Sequence, residues 1–358
     1  MFRRDWSGLP ADPIFGSNLA EIGYFVNDED EIRSLDDPDS YFNFFLTKNE
    51  RWNERQRFCF NAAIGDILRG RLENEDMKKV MLPLGTTDPS QPHVEIRVSD
   101  DLPSKKSRVI IFLGDDFQEF GVLAHRVLGG RGGVNKGSVI NLIKELKKQT
   151  SSATDSASPG IIIANPGENF WWPEGKRTIT FHGSTAIPMK SAVHLGYRSN
   201  EKRNTVPENR DYKEHVQYIL EKVVPALVAD TAKIDIIAIG KVADMVQEYL
   251  DQEYPDDDVG WSELCPRMNS LTTIAGNFDQ AAVQSEGFKK FLTERAQAYV
   301  IGNGEAGSPV PLDVTAGGNV HICPTFSAGE DTVFTETILV NALGPILAGI
   351  QNISLREN

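Results

Sequence analysis

From residue 104 onward, short apolar runs alternate with amphipathic segments, and this rhythm constrains the fold more than any other feature of the chain. The runs are RVIIFL (108–113), GIIIAN (160–165), IDIIAI (234–239), LTTIA (271–275) and AYVI (298–301), with a weaker VHI at 320–322. They are β-branched and apolar at successive positions, the pattern of strands covered on both faces in a mainly parallel sheet. Between them, Val139, Leu142, Ile143 and Leu146 are spaced i, i+3, i+4, i+7, as are Val216, Ile219, Leu220 and Val223. Val242, Met245, Val246 and Tyr249 repeat that helical spacing, and Phe288, Phe291 and Leu292 nearly do. Alternation of this kind predicts an α/β fold: a doubly wound, mainly parallel sheet with helices on both faces.

The first hundred residues differ. NERWNERQRFCFNAAIGDILRGRL (49–72) predicts a helix that turns Trp52, Phe58, Ile64 and Leu68 to the core, and PHVEIRVSD (92–100) predicts a half-buried strand. Few turn-rich linkers separate this strand from residue 108. Residues 1–103 are therefore read as an N-terminal extension packed on a main domain at 104–358, together one integrated unit. TSSATDSASPG (150–160) reads as a surface connection. The long stretch 166–211 lacks periodicity and reads as a lid or binding loop. DEDEIRSLDDPD (28–39) and DQEYPDDD (251–258) read as solvated acidic loops.

ILVNALGPILAGI (338–350) is too short for a membrane span and is broken by Gly344-Pro345, which predicts an interrupted, buried C-terminal helix. The opening MFRRDWSGLPADPIF has no apolar stretch of a secretory signal. Cys59, Cys265 and Cys323 are too scattered for a disulfide framework or a metal site. No membrane is expected, and the nucleus and cytoplasm are the expected compartments. The formal net charge of −14 argues against direct binding of nucleic acid, whose affinity rests on cationic groups.

Three motifs invite chemistry. GNGEAG (302–307) matches a dinucleotide fingerprint, but Ser308-Pro309-Val310-Pro311 blocks the helix that should open behind it. GGRGGVNKGS (129–138) reverses the Lys and Gly of a phosphate loop and reads as a turn feeding a helix. IDIIAI and the helix after it have the strand–turn–helix context of a nucleophile elbow, where G-x-S-x-G would place a serine. Here the slot holds Gly240 or Val242, depending on register, and neither can attack a carbonyl.

Glu305 is the nearest acid for a triad, and the loop after Gly329 holds no histidine. His93, His125, His182, His194, His215 and His321 show no metal-ligand spacing, and nothing calls for a cofactor or a metal. FHGSTAIPMKSAVH gathers Ser184 and Ser191 with His182 and His194, which leaves a hydrolase with displaced residues as an alternative. In the long loop, Phe170, Trp171 and Trp172 are aromatic candidates for a partner-binding surface, against the reading that the loop folds back and buries them.

LPADPIF, IGYFVNDEDEIR and RWNERQR resemble the start of the argonaute-binding-protein (Arb-type) domain family. The resemblance continues through VIIFLGDDFQEFGVLAHRVL, NTVPENRDYKEHV, IDIIAIGKVADMVQEYLD and CPTFSAGE, and so covers nearly the whole chain. That family includes the second argonaute-binding subunit of the fungal argonaute siRNA chaperone complex and the C-terminal domain of fungal class II histone deacetylases. The resemblance implies an α/β-hydrolase-like fold used in protein association. Some relatives keep a serine at the elbow and a histidine after the SAG element, and both are missing here. It further implies a non-catalytic subunit whose partners are an argonaute and a companion chaperone subunit in RNAi-directed heterochromatin assembly. The alternative it leaves is a homodimeric association domain of a deacetylase-related pathway.

Overall fold

The computed structural model describes residues 8–102, 106–191, 193, 197–254, 264–311 and 321–356. A hairpin of β1 (Tyr24–Val26) and β2 (Ile32–Ser34) leads to the long helix Glu50–Asn74. Asn49 caps that helix, its side-chain oxygen accepting from the Arg51 N–H. The main sheet then takes β3 (Met77–Leu82), β4 (Val94–Ser99), β5 (Arg108–Leu113) and β6 (Gly160–Ala164). After a small hairpin, β7 (Phe170–Trp172) with β8 (Arg177–Ile179), it resumes with β9 (Lys233–Ile239), β10 (Met268–Ile274), β11 (Ala296–Val300) and β12 (Thr325–Ser327).

Across the sheet the order is β12-β11-β10-β9-β5-β6-β4-β3. β4 runs antiparallel to both neighbours and every other pair is parallel. Numbered along the chain, the eight strands lie as 1-2-4-3-5-6-7-8 with the second reversed, the order of the α/β-hydrolase fold. The first two of these strands come from the N-terminal hundred residues.

Alternate residues of the central strands feed two separate cores, because successive side chains point to opposite faces. Ile110, Phe112, Ile161, Ile163, Ile237 and Ile239 pack with the helices Glu50–Asn74, Val139–Leu146 and Leu343–Ser354. Val109, Ile111, Leu113, Ile162, Ile234 and Ile236 pack on the other face with Val216, Val223, Val246, Leu250, Phe288 and Leu292. A strand in such a sheet is apolar throughout, which is why these runs show no period of two.

Some expectations need correcting. β4 is buried along its whole length, because it is an interior strand with neighbours on both sides. Its charged residues are paired: Arg97 Nε donates to Glu95 at 2.8 Å, and Arg69 Nε donates to the same carboxylate at 3.3 Å. On the long helix Ile64 and Leu68 are buried, but Trp52 is exposed and meets Phe15 edge-on, while Phe58 is half-buried. The buried stripe begins at Asn53 and Gln56, on a face rotated about 100° from Trp52.

Segment 166–211 is not a structureless loop. It contains the hairpin β7–β8 and the short helices Phe181–Thr185 and Glu201–Asn204. Of the weak run VHI, Val320 lies outside the described residues, and His321 and Ile322 precede the last strand. The acidic stretch 251–258 closes the helix Gly240–Glu253, and its residues from 255 lie outside the described residues.

The C-terminal apolar run forms the helices Ile338–Asn341 and Leu343–Ser354, with a 65° bend at the break. No single helix among the described residues is long and apolar enough to cross a membrane. The glycines of 129–138 serve close packing. A Cβ on Gly133 would sit 2.2 Å from the Asp30 carbonyl oxygen, and one on Gly137 2.5 Å from the Leu128 nitrogen.

Candidate functional site: a filled elbow at the end of the sheet

In a parallel α/β sheet, ligands bind at the C-terminal ends of the strands, where the order of connections reverses. Here β5 and β9 lie side by side at the centre. β9 ends at Ile239 and the next residue opens the helix Gly240–Glu253 with no intervening loop. Gly240 has φ +58°, the left-handed conformation that this sharp strand-to-helix turn demands. The register is thereby decided: Gly240 occupies the slot of the nucleophile. Val242 is fully buried on the first turn of the helix and faces the core.

The space a nucleophile's side chain would enter is filled from the opposite loop. A Cβ on Gly240 would lie 3.0 Å from Asp115 Oδ1 and 3.3 Å from its Oδ2. Asp115 follows β5 and accepts from the Asp116 N–H at 2.8 Å. Burial, and then the Asp116 carboxyl beside it, push the Asp115 carboxyl up to about 7. Asp116 has one buried oxygen with no hydrogen-bond partner among the described residues, and Lys241 Nζ stands 3.6 Å from the other.

Asp116 opens onto a cleft of about 840 Å³, walled by Gly167, Phe170, Phe181, Arg210 and Tyr212 among others. The loop after β6 is pressed against the loop after β5. A Cβ on Gly167 would meet the Gln118 carbonyl oxygen at 2.1 Å, so only glycine fits there. The base of this loop is fixed by His215, which is fully buried. Its Nε2 takes the Asn165 N–H at 3.1 Å, and its Nδ1 lies 2.7 Å from Asn209 Oδ1. This assigns the tautomer with the proton on Nδ1. Burial drives its pKa down to about 3.

The other triad slots do come together. Glu305, after β11, and Gly329, after β12, line one cleft of about 830 Å³. Gly329 has φ +109°, and the chain continues into Glu330 and Asp331, so the wall is carboxylate where an imidazole would be needed. His321 is buried ahead of β12, at the far end of that strand from this cleft. GNGEAG is the loop after β11, held by a hydrogen bond from Gly307 N–H to the Ser327 carbonyl at 2.8 Å.

The displaced pair is not assembled as a dyad either. Ser184 Oγ donates to the Phe181 carbonyl at 2.6 Å, and His182 Nε2 lies 3.1 Å from Glu54. His194 lies outside the described residues. Among the described residues no group of three His, Cys, Asp or Glu is placed to hold a metal ion.

The aromatic run is placed differently from the expectation of an exposed contact surface. Phe170 and Trp171 are buried in β7, Trp171 at 2% exposure, and Trp172 is half-buried against Phe58. Phe170 and Trp171 lie on opposite faces of the β7–β8 hairpin and both faces are covered, Phe170 packing with Ile179 and Ile187 and Trp171 joining the core that holds Ile162 and Val216. The exposed aromatics of this rim are Phe181 at 71% and Phe117 at 60%. Sequence reasoning passed over Asp115 and Asp116, although two acids directly after the β5 run stood at the end of the sheet where sites form.

The Arb2 domain family matches residues 15–306, most of the chain. The chain belongs to the Arb2 domain family. Among solved structures, a histone deacetylase from Saccharomyces cerevisiae is similar with a TM-score of 0.44 and 13% sequence identity, over 82% of this chain and 97% of that one. No curated protein matches the chain.

Proposed function

We propose that this Arb2 domain protein is a non-catalytic, α/β-hydrolase-like interaction subunit. Its partners are an argonaute and a companion chaperone subunit, and its place is RNAi-directed heterochromatin assembly in the nucleus and cytoplasm. The observation that carries the reading is the elbow itself. Gly240 has no side chain to attack with, and the Asp115 carboxyl stands within 3.4 Å of where one would begin. An acyl-transfer site needs a nucleophile there and a base within hydrogen-bond reach. Carboxylates fill both places.

Family membership supports a role in protein association, and the net charge of −14 suits a basic protein partner better than RNA. The surface offered is the rim of the Asp116 cleft, where Phe117 and Phe181 are exposed beside acidic groups. Affinity purification of the tagged chain with an RNase-treated control tests this. Argonaute and one further protein are expected to co-purify after RNase. Their absence, or a serine labelled by a fluorophosphonate probe, overturns the reading.

A further inference from the structure

The motif GNGEAG (302–307) plays no part in the elbow, yet it contains a reactive pair. Asn303-Gly304 is the one place in the chain where glycine follows asparagine. The pair lies in the loop after β11, and Asn303 is exposed. The peptide unit joining the two residues is held at neither end. Among the described residues the Asn303 carbonyl accepts no hydrogen bond and the Gly304 N–H donates none. The side-chain amide of Asn303 is equally unengaged among them.

Restraint begins one peptide further on. The Gly304 carbonyl accepts from Ser327 Oγ at 2.9 Å, the Ser308 N–H donates to the Glu305 carbonyl at 2.9 Å, and the Gly307 N–H donates to the Ser327 carbonyl at 2.8 Å. A Cβ on Gly304 would lie 2.2 Å from Ser308 Oγ, so this turn has room only for glycine. The packing that fixes the loop thus keeps the least hindered backbone nitrogen next to Asn303. A solvent-facing peptide plane with no hydrogen bond to break turns at little cost. Asn269, which precedes the small residue Ser270, is placed in the opposite way: it is buried in β10 and its Nδ2 donates to Asp235 at 2.7 Å.

We propose that Asn303 is a site of spontaneous covalent modification, in which the Gly304 nitrogen closes a ring onto the neighbouring side-chain amide. The Gly304 nitrogen gives up its proton and bonds to Asn303 Cγ. The Cγ–Nδ2 bond breaks, and Nδ2 takes up a proton and leaves as ammonia. Water then opens the five-membered imide at one of its two carbonyls, which yields aspartate or isoaspartate. No oxidant, reductant or enzyme enters the balance. Either product adds a carboxylate two residues from Glu305, whose cleft already holds Glu330 and Asp331 against Lys136. Isoaspartate also lengthens the main chain by one carbon, just before the carbonyl that Ser327 holds.

Incubation of the folded full chain in neutral buffer, sampled over weeks and followed by peptide mass spectrometry, tests the proposal. Conversion of amide to acid is expected on the peptide that carries Asn303, resolved by chromatography into aspartate and isoaspartate forms. Its rate is expected to lie within about tenfold of that in the free peptide IGNGEAGSPV, because the folded loop leaves this plane unrestrained. The rate should rise from mildly acidic to mildly alkaline buffer, since the attacking nitrogen must first lose its proton. Asn269 should stay intact while the chain is folded.

Asn303→Gln is expected to abolish the conversion, because one more methylene takes the carbonyl out of reach of a five-membered ring. If that variant fails to fold by circular dichroism, Asn303→Ser takes its place with the same expected loss. Survival of Asn303 more than about tenfold longer than in the free peptide overturns the proposal, because the fold would then protect the pair. Conversion confined to other asparagines, or the same conversion of this peptide in the folded variant, overturns it as well.

Discussion

At the scale of single residues, Gly240 and Asp115 form one device. The turn needs φ +58° at residue 240, and the Asp115 oxygens stand where a side chain would begin. Gly240→Ala therefore incurs both the left-handed backbone cost and a 3.0 Å contact with Asp115. A loss of about 1–3 kcal/mol is expected in denaturant unfolding. Adding Asp115→Ala to that variant is expected to recover the contact part and leave the backbone part. Full recovery, or none, would show that the two residues do not share this space.

The same carboxyl gives stability a pH dependence whose sign is fixed. Asp115 titrates near 7 in the folded chain and near 3.8 unfolded, so between these values the folded state holds the extra proton. Stability from this group falls as pH rises through 7, by at most about 1.4 kcal/mol per pH unit. His215 acts oppositely. Its folded pKa of about 3 lies below the unfolded 6.5, so its contribution is present above 6.5 and lost as pH falls from there toward 3. Near pH 7 the Asp115 slope is the steeper of the two, because the unfolded imidazole is already mostly neutral there while the Asp115 carboxyl is half protonated. Unfolding midpoints measured from about 6.5 to about 7.5 should decline with pH in the parent and lose that decline in Asp115→Asn.

Elements show where the sequence was legible and where it was not. β5, β6, β9, β10 and β11 announced themselves because a strand buried on both faces must be apolar at every position. The edge strand β3 did not, since it exposes consecutive lysines, Lys78 and Lys79, one on each face, and so breaks the apolar run. β7, β8 and β12 are three residues each, too short to display a period. The elbow was legible as a place, from IDIIAI and the helical spacing after it, but not its filling. Asp115 reaches Gly240 from a different loop, and no local pattern encodes a contact made through the sheet.

Inside the sheet, β5 and β9 are tied by a fully buried ion pair, Arg108 Nε to Asp235 Oδ2 at 2.5 Å. The second Asp235 oxygen takes hydrogen bonds from Asn269, at 2.7 Å, and from Ser270 on β10, so one carboxylate clamps three adjacent strands. Asp235→Ala leaves a buried guanidinium without its counter-charge, and a loss of about 3–5 kcal/mol is expected in urea unfolding. Replacing both partners with apolar residues, Arg108→Met with Asp235→Leu, should restore most of it, because desolvation offsets much of what a buried pair contributes. A double variant as unstable as the single one would mean that the network to Asn269 and Ser270 matters more than the charge pair.

For the whole molecule, the charge of −14 bears on rates more than on fold. Many carboxylates are used internally: Asp12 holds Arg51 and Arg55, Glu75 holds Lys144 and Lys147, and Asp30 holds Arg71. Others, such as Glu330 and Asp331 after β12, are exposed. Surface charge of one sign accelerates encounter with a partner of the other sign and is screened by salt. If an argonaute is the partner, its association rate with this chain should fall by about tenfold between about 50 and about 500 mM salt, with dissociation nearly unchanged. Stopped-flow mixing of the two purified proteins measures both. An apolar docking surface built on Phe117 and Phe181 would set the dissociation rate, so Phe181→Ala should speed release without altering the salt slope of association. A flat salt slope would place recognition in those rings alone and remove any role for the acidic surface in finding the partner.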